Sequence, residues 1–569
     1  MPRQASARVP LPAAPPGADG PAATGRRTVL VAVRSAGALH RLLDVLPAFD
    51  GDSRVVTRFT LVPGSDFDVE ALAALERAGA RALAWEDAVR RRHDLVLAAS
   101  PKGGLRRLSG PRALLPHGAG FNKTVADEGS ADVPSGLDPH YLLARGAPWA
   151  DLHALAHEEQ VSRLALHCPV TARRAAVVGD PTLDRLLASA PRRGPYREAL
   201  GTGARTLVVL TSTWGPESLL ARRPGLPAEL CASLPYDSFQ VALVLHPNEH
   251  SGTGRFDLSR WLAPALGAGL VLARPHEEWA ALLVAADAVV SDHGSTALYA
   301  AALGRPVVGA YDGGRELLAD SPMARLLAAA PRFSSAADLP DVLRAARTVD
   351  TRARAADAFA RPGQALPLLR RHLYRLLRLP PPAGPLEARP FPRPGTQPRT
   401  PRAFAVRTGV AGDRVAVARF PVHTDRPVHH LAAELPFADP RSAQSAAVVW
   451  RRARDAAAGA GTPAWTAEGW TAHALAESPG CRTAVAVLTP GRALLRSRTA
   501  GTFSLRVEPH RAAGRVAHAD PAAVASAVHA WLGPGTAGTP PGSLWCDTGP
   551  LSVRVHLAPA EPDDLDYVL

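Results

Sequence analysis

Apolar strand patterns alternate with helical patterns through the first part of the chain. Runs of apolar residues at 28–33 and 58–62 predict buried strands, and an amphipathic helix is predicted over 68–80. Three shorter strand patterns follow, the last of them in the segment RALLPHG. This alternation is typical of a parallel sheet that helices cover on both faces.

A second unit with the same alternation begins near Thr206. Strands are predicted within TLVVLTSTW, QVALVLHPNEH and GLVLA, and a helix is predicted over 276–286. The segment from 288 to 311 then predicts a strand, a polar loop, a short helix and a final strand. Two such units in sequence predict an α/β protein with a pair of Rossmann-like domains and a ligand cleft between them.

These patterns also set the expected domain boundaries. The first Rossmann-like domain is expected at 28–190 and the second at 191–379, after a disordered leader at 1–27 that is rich in Pro, Ala and Gly. A Pro-rich linker is expected at 380–402, with few contacts crossing it. A smaller α+β domain is expected at 403–569.

The last of these domains shows no catalytic signature. Its strands are predicted at 414–420, 483–488, 502–508 and 551–557, and its helices at 441–459 and 521–532. The sequence assigns no role to this domain.

The segment PLLRRHLYRLLRL, at 367–379, predicts a basic amphipathic helix. One interpretation is a closing helix whose apolar stripe packs on a core while its arginines face water. The other is a contact with an anionic membrane surface. The apolar stripe favours packing.

The charge of the chain suggests an anionic partner, but its distribution argues against nucleic acid. The formal net charge is +13, and the basic residues are spread along all 569 positions. Aromatic residues make up only 5%, so stacking platforms for single-stranded nucleic acid are not evident. We therefore expect no nucleic-acid partner.

Cysteine spacing and hydropathy indicate the compartment. The four cysteines are far apart and show no metal-ligand spacing, so we predict neither a metal site nor a disulfide framework, and no cofactor. No apolar segment typical of a signal peptide is present, and no apolar run approaches the roughly 20 residues that span a bilayer. A cytoplasmic protein is expected, with peripheral contact to the inner face of the membrane at most.

Small and polar residues mark the start of the helix within 288–311. Gly294, Ser295 and Thr296 lie where backbone N–H groups are unpaired, and such a helix start binds phosphate well. Ser295 or Thr296 is expected to cap the helix, and Asp292 and His293 lie at the carboxyl end of the preceding strand, where ligands bind in open α/β sheets. The alternative is an ordinary capped helix.

Two histidines follow predicted strands, one in each domain. His117 is followed by Gly118, and a histidine there is able to take a proton from a hydroxyl nucleophile at neutral pH. His246 and Asn248 lie at the end of a strand in the second domain, where His246 would contact a phosphate. The alternative for His117 is a surface histidine beside a glycine turn, and the alternative for His246 is an ordinary turn residue.

Lysine occurs at two positions only, Lys102 and Lys123, and both fall in loops after strands of the first domain. Arginine serves nearly everywhere else in the chain. A compact, strongly hydrated ammonium group is therefore expected to contact an anionic donor or acceptor at these two positions. Because there are only two lysines, the alternative is that they fall in these loops by chance.

The segments LPHGAGFNK, VVGDPTLDRLL, LHPNEH and VVSDHGSTALYAAALGRPVV resemble, in order and spacing, the CDP-glycerol glycerophosphotransferases of teichoic acid synthesis. The resemblance covers roughly 28–379 and implies the GT-B fold of two Rossmann-like domains. It implies transfer of a phosphoglycerol or glycosyl-type unit from a nucleotide-activated donor to a hydroxyl acceptor in cell-envelope polymer synthesis. An anionic polymer or a lipid-linked molecule would be the acceptor.

The resemblance also implies roles for individual residues. His117 would be the general base and His246 would lie at the donor diphosphate, while Asp292, Ser295 and Thr296 would line the nucleotide-phosphate loop. The chain departs from the family pattern at Pro116 and in this loop, so UDP-sugars are considered as donors beside CDP-glycerol.

Two other interpretations remain open at this point. The non-hydrolysing UDP-N-acetylglucosamine 2-epimerases share related motifs, although their acidic catalytic pattern is not obvious in this chain. A GT-B relative without catalytic activity would use the cleft only to bind a ligand and the last domain to recruit a partner. A requirement for an acceptor separates a transferase from an epimerase, and turnover of any activated donor separates both from a binding protein.

Overall fold

The computed structural model describes residues 25–64, 68–124, 133–275, 278–311, 314–396, 399–421, 427–453, 464–533 and 542–569. The leader predicted at 1–27 therefore lies outside the described residues, except for its last three positions. No helix of the described part of the chain is both long enough and apolar enough to cross a bilayer.

A seven-stranded parallel sheet forms the centre of the first domain. Its strands, in spatial order, are Ala82–Leu83, Val55–Leu61, Arg27–Val33, Leu95–Ala98, Arg112–Leu114, Leu152–Leu155 and Ala175–Val177. The α-helices between them are Ala36–Leu43, Asp68–Arg77, Trp85–Arg90, Pro139–Leu142, Glu158–His167 and Pro169–Ala172. Leu95–Ala98 is wholly buried and Arg27–Val33 is buried from Val29 onward, because helices cover both faces, as their continuous apolar runs predict.

A five-stranded parallel sheet forms the centre of the second domain. Its strands, in spatial order, are Val271–Leu272, Phe239–Leu245, Thr206–Ser212, Ala288–Ser291 and Val307–Gly309. Its α-helices are Pro181–Ser189, Arg193–Ala199, Leu219–Arg222, Leu226–Ser233, Pro247–Thr253, Arg255–Trp261, Ala263–Gly267, Glu278–Ala285, Thr296–Ala302, Pro322–Ala329, Leu339–Ala346 and Thr351–Ala355. The first of these helices lies before the boundary expected at 190, but Leu183 and Leu186 are buried in the second domain's core. The predicted pair of Rossmann-like domains is confirmed.

The amphipathic helix near the end of the second domain, Ala365–Leu377, packs on the first domain. Leu369, Leu373 and Tyr374 are buried in the same hydrophobic cluster as the central strand Arg27–Val33, so this closing helix completes the first core. The packing interpretation fits this arrangement, because the apolar face is covered by protein. The chain therefore returns to its first domain after the second has been built.

The Pro-rich segment 380–402, here called the strap, is anchored in the second domain at Phe391. Phe391 is 2% exposed and packs beside Trp279, and its ring lies 3.9 Å from the Arg185 guanidinium carbon. Its backbone N–H donates to Ser189 Oγ at 2.8 Å. The expectation of a linker with few contacts is therefore wrong, because a single buried aromatic anchors the segment in the second domain's core.

A closed barrel forms the last domain. Its strands, in order around the barrel, are Ala403–Ala411, Arg414–Pro421, Ser543–Thr548, Leu551–Pro559, Gly501–Val507, Arg492–Ser497, Thr483–Thr489, Val448–Arg452 and His430–Glu434. The helix Pro521–Trp531 packs against strands from all round the barrel and is buried on nearly every side, which its run of small residues permits. The other α-helices of the domain are Pro440–Ser445, Ala467–Glu477 and Pro562–Leu565.

One predicted helix of this domain is largely wrong. Of the segment 441–459, only the first turns are helical, in Pro440–Ser445, and Val448–Arg452 is a strand of the barrel. Residues 454–459 lie outside the described residues. The run Val448, Val449 and Trp450 suits a strand with buried positions better than a helix, because β-branched and aromatic side chains pack well on a pleated surface.

Candidate functional site

A cavity of about 500 Å³ lies between the carboxyl edges of the two Rossmann-like sheets. Side chains from both domains line it, as expected for ligand sites of open α/β sheets. Every candidate residue borders this cavity: Lys102, His117, Gly118, Lys123, His246, Asn248, Asp292, His293, Gly294, Ser295 and Thr296. The fold therefore brings together, in a single cleft, candidate residues that lie up to 194 positions apart in the sequence.

The His117 loop touches the helix start of the other domain. A Cβ atom at Gly118 would lie 3.1 Å from Ser295 Oγ, which leaves little space for any side chain at this position. The two loops that the motifs identified therefore lie close to each other, one from each domain. A group bound between them would contact both.

The helix start differs from the predicted cap. The helix begins at Thr296, and Ser295 occupies the N-cap position without a capping hydrogen bond from its side chain. The backbone N–H of Gly294 donates to Asp292 Oδ1 at 2.8 Å. The backbone N–H groups of Ser295 and Thr296 have no hydrogen-bond acceptor in the described part of the chain, so they remain able to bind a ligand.

Asp292 organises the loops at this edge of the cavity. It is 1% exposed, and its carboxylate accepts hydrogen bonds from the backbone N–H groups of Thr213, Leu219 and Gly294 at 2.7, 2.8 and 2.8 Å. Burial raises the pKa of Asp292, while His293 and these three donors oppose the rise. The carboxylate thus holds the helix-start loop against the loop after the strand Thr206–Ser212.

His293 is likewise held by protein groups. Its Nδ1 lies 3.1 Å from the Tyr311 hydroxyl and its Nε2 lies 3.2 Å from Glu316 Oε2, and the ring is buried. Both nitrogens are therefore engaged within the second domain. Among the predicted ligand contacts, Asp292 and His293 support the loop that carries Gly294 and Ser295.

His246 is neutral at pH 7 and presents a defined tautomer. The strand before it ends at Leu245 and a helix begins at Pro247, so His246 is the N-cap of a helix where the sequence predicted strand. Its Nδ1 accepts the backbone N–H of Asn248 at 3.1 Å, which leaves the proton on Nε2. Burial, aided by the charges of Lys123 and His117, lowers the pKa of His246 to about 3.

His117 and His246 both border the cavity, one from each domain. His117 differs from His246 in being exposed. The site therefore combines an exposed imidazole with a half-buried, neutral imidazole that keeps its Nε2–H.

The two lysines have different surroundings. Lys123 Nζ bonds Glu316 Oε2 of the second domain at 3.1 Å and lies 5.0 Å from the centre of the Trp214 ring. Lys102 Nζ lies 5.6 Å from the centre of the Tyr141 ring. Lys123 therefore fastens the two domains beside the cleft, whereas Lys102 stays on the first domain's side of it.

Sequence reasoning missed the buried network that lines one side of the cavity. Arg41 forms a bidentate pair with Asp180 at 2.7 and 2.8 Å, and Tyr299 of the other domain donates to the same carboxylate at 3.1 Å. The motif VVGDPTLDRLL contained Asp180, but its partners lie more than 100 residues away in both directions. Sequence reasoning also missed Trp214, which borders the cavity. Its position two residues after the strand Thr206–Ser212 could have identified it, because ligands bind at the carboxyl ends of such strands.

No group of three or more His, Cys, Asp or Glu side chains within the described ranges is arranged to hold a metal ion.

Comparison with known proteins gives structural likenesses only. No protein-family profile matches the chain, and no curated protein matches it. A UDP co-structure of S. aureus MnaA is 12% identical over 64% of this chain and all of its own, with a TM-score of 0.41. The wall teichoic acid polymerase TagF is 12% identical over 62% of this chain and 89% of its own, with a TM-score of 0.43.

A UDP-GlcNAc 2-epimerase from Neisseria meningitidis bound to UDP-GlcNAc is 14% identical over 62% of this chain and 99% of its own, with a TM-score of 0.39. At these identities and scores, the likenesses assign neither an activity nor a ligand to this chain.

Proposed function

We propose that the protein is a transferase that moves a phosphoglycerol or glycosyl-type unit from a nucleotide-activated donor to a hydroxyl acceptor. One observation carries the proposal: an exposed histidine from one sheet edge faces a neutral histidine and a helix start with unbonded N–H groups from the other. These are the groups that a displacement at a nucleotide diphosphate requires.

His117 is the general base of the proposed reaction. Its imidazole takes the proton from the acceptor hydroxyl as the oxygen forms a bond to the donor's phosphorus or anomeric carbon. The bond between that atom and the nucleotide phosphate oxygen breaks, and its electron pair leaves with the nucleotide. The proton on His117 is then released to water, which the exposed position of the ring allows.

The opposite wall stabilises the leaving nucleotide phosphate. His246 donates from Nε2, and the backbone N–H groups of Ser295 and Thr296 donate beside it. Donors fixed in advance are most effective where charge develops, because they need no reorganisation during the reaction. The Asp292 carboxylate keeps this loop in place through its three backbone hydrogen bonds.

The donor and the setting follow the sequence resemblance. We propose CDP-glycerol or a UDP-sugar as the donor and cell-envelope polymer synthesis, in the cytoplasm at the inner face of the membrane, as the setting.

A thermal-shift panel tests the donor side. CDP-glycerol, CDP-ribitol, UDP-sugars and GDP-sugars are compared, and a donor at a hundred times its Kd is expected to stabilise the protein by about 2.7 kcal/mol. In Ser295→Glu a carboxylate occupies the space of the donor phosphate, so the shift is expected to vanish while the protein stays folded. The matched control is Ser334→Glu, at an exposed serine of the same domain outside the cavity.

Two results would contradict the proposal: no nucleotide shifts the melting of the wild type, or Ser295→Glu responds as strongly as the wild type. Turnover of a donor without any acceptor would instead identify an epimerase-type reaction.

A further inference from the structure

The loop that carries His117 is anchored in the cores of both Rossmann-like domains. Leu115, directly after the strand Arg112–Leu114, is buried in the same hydrophobic cluster as the first domain's strand Arg27–Val33. Ala119 is also buried, but it belongs to the second domain's core. His117 therefore lies midway along the chain between two anchors, one in each domain.

The end of this loop pairs with backbone of the second domain. Lys123 and Leu317 form an antiparallel β-bridge. On either side of the bridge, the backbone N–H groups of Thr124 and Leu318 donate to carbonyl oxygens of the opposite segment, both at 2.9 Å. Leu317 follows the strand Val307–Gly309 of the second sheet, so this pairing crosses from one domain to the other.

The Asn122 side chain joins the same two segments. It is 7% exposed, its Nδ2 donates to the carbonyl oxygen of Ala119 at 2.6 Å, and its Oδ1 accepts the backbone N–H of Met323 at 3.3 Å. Met323 lies in the first turn of the helix Pro322–Ala329, where N–H groups have no partner within the helix. A buried amide thus holds the bend of the His117 loop against a helix start of the second domain.

The Glu316 carboxylate extends this contact to the donor wall. Its Oε2 lies 3.1 Å from Lys123 Nζ and 3.2 Å from His293 Nε2. The backbone N–H of Glu316 donates to Glu217 Oε2 at 3.0 Å, which fixes the segment in the second domain. His293 belongs to the loop that ends at Ser295, so one carboxylate connects the loop of the proposed base to the helix-start loop.

We propose that Asn122 and Glu316 are positioning residues whose contacts, here called the interdomain lock, fix His117 opposite the helix start at Ser295. The lock sets the separation of the two walls through protein contacts rather than through bound substrate. Such a device suits groups that act together on one substrate, because a misplacement of about 1 Å is able to cost about 10²-fold in rate. The catalytic consequence rests on the proposed function, whereas the lock itself rests on the contacts described above.

Hydrogen–deuterium exchange tests the lock without any turnover. In the wild type without nucleotide, the backbone amides of 114–124 and 314–323 are expected to exchange slowly, because hydrogen bonds join these segments across the domains. Asn122→Ala and Glu316→Ala are each expected to speed the exchange of both segments by about 10-fold, since each loses buried hydrogen bonds. Glu198→Ala, which removes an exposed pair with Arg393, is the matched control and should change neither segment.

Glu316→Gln is the conservative variant of this series. It keeps the size of the side chain and an oxygen that accepts from the Lys123 ammonium group, so its exchange is expected to lie between those of the wild type and Glu316→Ala. It also keeps the test decisive if Glu316→Ala does not fold. Faster exchange throughout both sheets, rather than in these two segments, would show a general structural role and overturn the lock.

Turnover separates positioning from substrate binding. Asn122→Ala is expected to lower kcat by about 10²-fold, while the KM for the donor and the nucleotide-induced thermal shift stay at their wild-type values, because both ends of its amide are bonded to backbone. A raised donor KM with unchanged kcat would show that Asn122 binds substrate, and would overturn its positioning role.

The exchange result and the turnover result judge different claims. Unchanged exchange of both segments in Asn122→Ala and Glu316→Ala would overturn the lock, whatever the enzyme does. A protein that shows the expected exchange but turns over no nucleotide-activated donor would support the lock and refute the proposed function.

Discussion

The two histidines of the cleft carry out different chemistry because their surroundings differ. His246 has a pKa of about 3, so above roughly pH 4 its ring is neutral and its Nε2–H remains a donor. His117, in contrast, is exposed. Any change of turnover with pH between 5 and 8 would therefore arise at a group other than His246.

Replacement of His117 tests its role as the base. His117→Ala is expected to lower turnover by about 10²–10⁴-fold, because the acceptor hydroxyl loses its proton acceptor. Melting temperature and the nucleotide-induced shift should both stay at their wild-type values. His518→Ala, at an exposed histidine of the barrel, is the control. A folded His117→Ala variant with wild-type turnover would remove His117 from the mechanism.

At the level of residues, sequence reasoning identified positions better than roles. His117 and His246 were found because both follow strand ends, where ligands bind in parallel sheets. The role of Asp292 was not predictable, because its partners Thr213 and Leu219 lie 79 and 73 residues away. Arg34, which also borders the cavity, was missed because arginine is abundant in the chain.

At the level of elements, the strap shows how a Pro-rich segment becomes structural. Its composition predicts an extended chain without its own core. The structure shows that one aromatic side chain, Phe391, enters the second domain's core and contacts Trp279. A local pattern does not reveal such docking, because the pocket for the ring is built from residues distant in sequence.

Removal of the Phe391 ring tests this anchoring. Phe391→Ala is expected to lower the free energy of unfolding by about 3–5 kcal/mol, because a buried aromatic leaves a cavity. Phe437→Ala, at a half-exposed ring of the barrel, is expected to change it by only about 0.5 kcal/mol. Chemical denaturation compares the two variants, and equal effects would show that the strap is not anchored by Phe391.

At the level of the whole molecule, the barrel is fastened to the second Rossmann-like domain by a buried charge. Arg419 is 1% exposed and bonds Asp237 of that domain at 2.6 and 2.8 Å, and it also pairs with Asp520 inside the last domain. The Tyr236 and Phe404 rings lie 5.2 Å apart at the same junction. Few contacts were expected between the last domain and the rest of the chain, but the Arg419–Asp237 ion pair joins the barrel to the second domain.

Removal of Asp237 tests the coupling between these domains. Asp237→Ala leaves Arg419 with one carboxylate fewer, and breaking a buried pair typically costs about 3–5 kcal/mol. Calorimetry is expected to show the barrel unfolding as a separate transition at lower temperature. Asp547→Ala, which removes the half-buried partner of the exposed Arg414, should cost about 1 kcal/mol or less. A single unchanged transition in Asp237→Ala would mean that the salt bridge does not couple the domains.

The return of the closing helix to the first domain has a consequence for the order of synthesis. The last strand of the first sheet ends at Val177, and the helix that completes its core begins at Ala365, about 190 residues later. At about 5–20 residues per second, a ribosome needs roughly 10–40 s to make that interval. During this time the first sheet exposes the apolar surface that Leu369 and Leu373 later cover, so a newborn chain is most prone to aggregate, or to need a chaperone, before its second domain is finished.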